Sequence, residues 1–139
     1  MEVEELISQQ EELVFGREAR EKRRKDAEQL LKKARPIDKL ILWEVGVERS
    51  DLAPVLERVP VYVVPKGSLD PLLGWHYWDI ENGVPVSKAI FIDENHVTRD
   101  IVIHEMCHAK LLNEYPKLYP YLSEEGKEFL VALCERKRL

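Results

Sequence analysis

Apolar residues recur along the chain with two different spacings, and the spacing changes near residue 59. Before that point, leucines, isoleucines and valines recur every three or four positions, as on one face of an α-helix. This pattern predicts a long helix over residues 2 to about 35 and a second helix from Pro36 to Gly46. Proline fits the first turn of a helix, because its missing N–H would have no partner there. A short third helix is expected after Ser50.

Beyond residue 59 the chain shows the short β-branched and aromatic runs that are typical of strands. The run VPVYVVP is bounded by prolines and predicts one strand. WHYWDI and VPVSKAIFID predict two more strands, and the Asn82-Gly83 pair between them suits a tight hairpin turn, since both residues accept positive φ. We therefore expect a small sheet of three strands.

Two further helices are predicted at about 97 to 114 and about 122 to 137, so the fold class is α+β. A chain of 139 residues suits one compact domain. We divide it into a charged N-terminal helix over residues 1–35 and a minimal domain over residues 36–139.

Composition and charge narrow the classes of protein. The net charge is −5, so a surface that is basic throughout, as for nucleic-acid binding, is excluded. The basic residues at 20–25 are diluted by neighbouring acids, which disfavours nucleic acid as a partner. We see no signal peptide and no membrane-spanning run, and we expect a cytoplasmic protein. Cys107 and Cys134 fall in apolar helical patterns and are expected to be buried free thiols.

The segment IVIHEMCHAKLL carries the chemistry. On a helix His104 and His108 lie one turn apart on the same side, so both imidazoles can reach one metal ion at about 2.1 Å. Glu105 is turned aside from that pair, where it can act as a general base on a water molecule. Either histidine alone would be interpreted as a core residue, but the pair with an intervening glutamate predicts a metal site.

A catalytic zinc site usually has three protein ligands, and no histidine follows His108. Carboxylates are available in the predicted last helix, SEEGKEFLVALCERK. Glu125 lies at the border of the apolar side of that helix, and Gly126 beside it permits close packing. An antiparallel pairing of the last two helices could thus bring Glu125 to the metal.

HEMCH followed by a Glu-Gly pair near the start of the next helix resembles the gluzincin group of zinc metallopeptidases. It is most similar to the minimal single-domain members, the minigluzincins. Those proteins have a backing helix, a small sheet, an active-site helix and a glutamate helix, and this order matches residues 36–139. The letters HEMCHA also resemble SprT-like proteases, whose later histidine has no counterpart here.

The resemblance implies a zincin-like fold and a zinc metallopeptidase that hydrolyses peptides or unfolded proteins. It implies Zn²⁺ as the cofactor, with His104, His108 and Glu125 as its ligands and Glu105 as the general base. Glu124 is the alternative third ligand.

Several finer expectations accompany this assignment. Many gluzincins carry a carboxylate one turn after the third ligand, where Phe129 stands here, so Glu128 is the expected substitute that orients a zinc histidine. The substrate is expected to pair as an added strand along residues 89–93. His76 is excluded from the ligand set. The candidate donors for a developing oxyanion are Tyr115, Tyr119, Tyr121 and His96.

Two other functions stay open at the level of sequence. One is a zinc-bearing domain that binds a partner or nucleic acid through the long helix without catalysis. The other is a latent peptidase whose cleft is covered by the N-terminal helix or by the C-terminal ERKRL tail.

Overall fold

The computed structural model describes residues 16–139, so the helix predicted from residue 2 lies partly outside the described residues. Within them the fold is α+β, as predicted. In chain order the elements are α1 (Arg17–Leu31), β1 (Arg35–Pro36), α2 (Lys39–Glu48), α3 (Ala53–Arg58), β2 (Val61–Val64), β3 (Gly74–Glu81), β4 (Val84–Asp93), α4 (Arg99–Glu114) and α5 (Glu124–Glu135). In this part of the chain no helix is both long enough and apolar enough to cross a membrane.

The sheet has four strands in the order β1-β2-β4-β3, one more than predicted. β4 pairs parallel with β2 and antiparallel with β3. The predicted β3–β4 hairpin is confirmed, with positive φ values of 53° at Asn82 and 78° at Gly83. The additional strand β1 is two residues long and pairs antiparallel with β2.

Pro36 lies in β1, so the prediction that it begins the second helix is wrong. That helix begins at Lys39, because the Asp38 side chain accepts a hydrogen bond from the Leu40 N–H at 2.8 Å and caps it. An aspartate cap satisfies a backbone donor that would otherwise lack a helical partner. The cap thus fixes the start of the helix at Lys39, later than the start at Pro36 that the proline suggested.

Alternate residues of β4 face two different layers. Ile90 and Ile92 are fully buried in a core that includes Val102 and Met106 of α4. Ala89 and Phe91 face the other side, where α1 packs through Ala27 and Leu30. The sheet therefore separates α1 from the helix that carries the HEMCH motif.

The sheet order decides where an extended peptide can pair. Residues 90–93 of β4 pair with β2 on one side, and the same strand pairs with β3 on the other. The prediction of strand addition along residues 89–93 is wrong for this reason. Beyond β4, the edge strand of the sheet is β3.

Cys107 of α4 and Cys134 of α5 form a disulfide, so the prediction of free thiols is wrong. Packing of the two helices brings the Cα atoms of Cys107 and Cys134 within 5.9 Å of each other, a separation that a disulfide can bridge. The spacing of the two cysteines along the sequence could not indicate this contact, because the disulfide joins two separate helices. The disulfide ties together the two helices that flank the cleft described below.

The C-terminal end of α5 is held by Arg49, whose side chain is fully buried. Its guanidinium donates to the carbonyl oxygens of Cys134 at 2.8 Å and Glu135 at 3.2 Å, which are among the last carbonyls of the helix. It also makes two hydrogen bonds of 2.9 Å to Asp51. Those hydrogen bonds are the main cause that lowers the pKa of Asp51 to about 2. Arg49 thus fixes the last turn of α5.

The disulfide generates a direct chemical test. Wild-type protein unfolded in denaturant without reductant is expected to expose no reactive thiol, and Cys134→Ser is expected to expose one. Reduction should lower the free energy of unfolding by roughly 3 kcal/mol, because a cross-link spanning 27 residues constrains the unfolded chain. Two reactive thiols in the unreduced wild type would contradict the assignment.

Candidate metal centre

α4 presents His104 and His108 on one side, as predicted. The helix begins after Thr98, whose side-chain oxygen accepts from the Ile101 N–H at 3.3 Å and caps the first turn. Every residue from Glu105 to Leu112 is buried, so the orientation of the helix is set by its packing. The two imidazole rings lie 5.0 Å apart between centroids.

A carboxylate from α5 completes the cluster. Glu128 places Oε1 at 3.1 Å from His108 Nε2 and Oε2 at 3.4 Å from His104 Nε2. The possible ligand atoms of the three residues all lie within 4.8 Å of one another. Among the described residues, this is the group of histidine, cysteine and acidic side chains that could hold a metal ion.

The spacing of these atoms fits a tetrahedral site. Ligands about 2.0 to 2.1 Å from a tetrahedral zinc ion are roughly 3.3 Å from one another. The two distances between histidine nitrogen and carboxylate oxygen, 3.1 and 3.4 Å, bracket that value. The two distances involve different oxygens of Glu128, so the side chains would have to adjust for one of these oxygens and both Nε2 atoms to coordinate a single ion.

Glu125, the expected third ligand, is not part of this cluster. Glu128 and Glu135 are seven residues apart, so they lie on one face of α5. That face points toward α4, and Glu124 lies on it as well. Glu125 is about 60° around the helix from Glu128, and neither Glu125 nor Phe129 lines the cleft beside the cluster. The rotation of α5, which its packing sets, thus brings Glu128 to the histidines in place of Glu125.

The second nitrogen of each histidine also has a partner. His104 Nδ1 lies 3.2 Å from Glu135 Oε1, and His108 Nδ1 lies 2.5 Å from the buried Tyr119 hydroxyl. With protons on both Nδ1 atoms, these partners accept hydrogen bonds and leave Nε2 of each ring available to a metal. Sequence reasoning missed Glu135, although its seven-residue spacing from Glu128 was a usable signal.

Burial controls the protonation of His108. Desolvation, together with the nearby His104 and Lys127, lowers the pKa of His108 to about 4. The imidazole is therefore neutral near pH 7, which is the form that binds metals. Burial also raises the pKa of the Tyr119 hydroxyl, which stays protonated.

Glu105 lies beside the cluster with a side chain that is almost fully buried. Burial is the main cause that raises its pKa to about 7; Glu128 and Glu135 add to the rise and His104 opposes it. Its carboxylate packs against the first residue of β3, Gly74, where an added Cβ would meet Glu105 Oε1 at 2.9 Å. Glycine at this position is what allows the acid and the strand to approach so closely.

His76 of β3 stays outside the cluster, as expected. Its Nε2 lies 2.8 Å from the Ser87 hydroxyl, and its ring stacks beside His108 at 6.3 Å between centroids. Burial, with added repulsion from His108 and Lys127, lowers the pKa of His76 to about 3. A neutral histidine therefore lines the wall opposite α4.

The cluster opens into a cleft of about 600 Å³ between β3, α4 and α5. Of the four predicted oxyanion donors, only Tyr119 lines this cleft. Its hydroxyl is already hydrogen-bonded to His108, which gives it a role in orienting the ring. His96 pairs with Asp93 at 3.1 Å, away from the cleft.

Comparisons of the chain with protein-family models, with curated proteins and with solved structures give no match.

The cluster predicts which carboxylate binds the metal. Glu128→Ala is expected to lose zinc that the wild type retains through dialysis, because one of three ligands is removed. Glu125→Ala, an exposed position on the same helix, is the matched control and should keep one zinc per chain. The zinc content of both variants is measured after dialysis. Loss of zinc in Glu125→Ala with retention in Glu128→Ala would restore the ligand expected from the sequence.

Proposed function

We propose that the chain is a zinc-dependent metallopeptidase of zincin-like architecture, with Glu105 as its general base. The observation that carries this proposal is the convergence of His104, His108 and Glu128 beside a buried carboxylate that does not belong to the ligand set. A buried acid that faces the cleft without belonging to the ligand set is what a metal-activated water needs as its general base.

The donor set favours zinc in a catalytic setting. Two imidazole nitrogens and one carboxylate oxygen are ligands that zinc accepts, and three protein ligands leave a fourth position open. Bound zinc would activate water and polarise a peptide carbonyl. The cleft beside the cluster provides room for a substrate at that open position.

Glu105 is the residue that handles the proton. It follows the ligand His104 directly and faces the same cleft, so it can accept a proton from the attacking water. It can then pass the proton to the amine that leaves when the peptide bond breaks. Gly74 supports this role, because its missing side chain leaves the carboxylate room beside β3.

A substrate backbone would pair with β3. This strand is the outer strand of the sheet on the side of the cleft, and Gly74, Trp75 and His76 line the cleft. An extended peptide or an unfolded protein segment can add there by main-chain hydrogen bonds. This arrangement replaces the one expected along residues 89–93.

The position of α1 bears on the alternatives. Arg20 and Arg24 both pair with Asp79 of β3 at 3.1 Å, and Arg23 lies over the Trp78 ring. These contacts occupy much of the basic cluster, which weakens the case for a nucleic-acid-binding helix. α1 packs on the face opposite α4 through Ala27 and Leu30, and Arg23 reaches past β3 to line the metal cleft.

The proposal is tested by Glu105→Gln. This variant is expected to keep its zinc but to cleave an unfolded protein substrate at least about 100-fold more slowly, because the amide cannot accept the proton. Glu114→Gln, an exposed position on the same helix, is the control and should behave as the wild type. Substrate cleavage and metal content are measured on the same samples. Undiminished cleavage by Glu105→Gln, or none by the zinc-loaded wild type, would overturn the proposal.

A further inference from the structure

The outward side of α2 carries three large apolar side chains. Leu40, Trp43 and Val47 are 69%, 66% and 63% exposed, respectively. The opposite side of the same helix packs into the core through the fully buried Val45. Residues three and seven positions apart lie on one side of a helix, so the three exposed residues form a continuous surface, here called the α2 stripe.

The α2 stripe lies apart from the metal centre. In the part of the chain that the structure describes, α2 contributes no residue to the lining of the metal cleft. Exposed apolar patches of a few hundred Å² on monomeric proteins are often interaction sites. The α2 stripe approaches that size, because a tryptophan with the exposure of Trp43 offers on the order of 150 Å² by itself.

α2 is held at both ends. The Asp38 cap fixes its first turn. At its C-terminal end both carboxylate oxygens of Glu48 accept hydrogen bonds from Nη1 of Arg99, the first residue of α4, at 2.7 and 2.8 Å. Association through a helix that is already fixed costs less entropy than association through a segment that must be ordered.

Opposite charges flank the α2 stripe. Lys39 and Glu44 are exposed on its two sides, and neither side chain has an ion-pair partner among the described residues. With Leu40 and Trp43 as the core positions a and d of a seven-residue repeat, Lys39 takes position g and Glu44 takes position e. In a parallel helix pair, a residue at g lies beside the residue at e five positions later on the other helix. Lys39 of each copy would therefore meet Glu44 of the other.

These charges select among the possible occupants of the stripe. In an antiparallel pair of the same helix, equivalent flanks meet, so Lys39 would face Lys39 and Glu44 would face Glu44. An anionic lipid surface is also a poor match, because it attracts basic helices, whereas Glu44 and Glu48 outnumber Lys39 on α2. A second copy of the chain in parallel orientation is the occupant that both the apolar and the charged residues fit.

We propose that the α2 stripe is the contact surface of a homodimer in which two copies of α2 pair in parallel. Leu40, Trp43 and Val47 of each copy pack on their counterparts, and two equivalent Lys39–Glu44 pairs flank them. Both metal clefts stay open, since α2 does not line them. The stripe is well below the ~800 Å² per partner of a stable interface, so we expect a dissociation constant on the order of 10 to 100 µM. The inference does not depend on the proposed peptidase function.

Sedimentation equilibrium of the full chain tests the proposal. The wild-type mass should rise from 16.3 kDa toward twice that value between about 5 µM and about 1 mM protein. Trp43→Ser should stay monomeric. Phe129→Ser is the matched control and should associate like the wild type, because Phe129 is also 66% exposed but lies on α5. Circular dichroism checks that both variants are folded, as expected for substitutions of exposed side chains.

Charge reversal tests the parallel orientation. Lys39→Glu and Glu44→Lys each place like charges at both contacts and should weaken the dimer roughly fivefold to tenfold. The double variant exchanges the two charges and should associate as tightly as the wild type. An equimolar mixture of the two single variants should form a heterodimer. Undiminished association of both single variants would overturn the parallel pairing.

Other outcomes also bear on the choice of occupant. A wild type that stays monomeric at the highest concentration overturns the inference, including when Trp43 mediates binding to vesicles of phosphatidylcholine and phosphatidylserine. Association that is lost in Phe129→Ser and kept in Trp43→Ser overturns it as well, because the contact would then lie on another surface. Absence of peptide cleavage by the wild type counts against the proposed peptidase function alone.

Discussion

The packing of α5 against α4 is the constraint on which the candidate centre depends. α4 alone supplies two imidazoles, and the carboxylate of Glu128 reaches them only because α5 is fixed in position and rotation. The Cys107–Cys134 disulfide joins the two helices, and Arg49 binds the last carbonyls of α5. Both cysteines of the disulfide are adjacent in sequence to residues of the centre. Cys107 directly precedes His108, and Cys134 directly precedes Glu135.

This packing also concentrates negative charge. Glu128 and Glu135 lie near Glu105, and both contribute to the rise in its pKa. Acids brought together in a partly desolvated cleft repel one another when ionised. A divalent cation between Glu128 and the two imidazoles would relieve that repulsion, which favours metal binding beyond the separate contribution of each ligand. Lys127, over the Tyr119 ring at 5.3 Å, offsets part of the charge from within the same wall.

The sequence predicted those features of the fold that depend on interactions between residues close together in the chain. The Asn82-Gly83 turn and the placement of His104 and His108 on one side of a helix depend on residues a few positions apart. The proximity of Glu128, and not of Glu125, to the two histidines depends on how far α5 is rotated in the assembled core, and the disulfide depends on the distance between two helices. β1 was missed because two residues carry no periodic pattern, and the interior position of β4 followed only from the strand order.

The most direct test is a crystal of the zinc-loaded protein measured at the zinc absorption edge. One anomalous peak per chain is expected, about 2.0 to 2.2 Å from His104 Nε2, His108 Nε2 and a carboxylate oxygen of Glu128. Glu105 and Glu125 should both lie outside that coordination sphere. A peak elsewhere, or no peak with these three side chains turned apart, would show that His104, His108 and Glu128 do not form a zinc site.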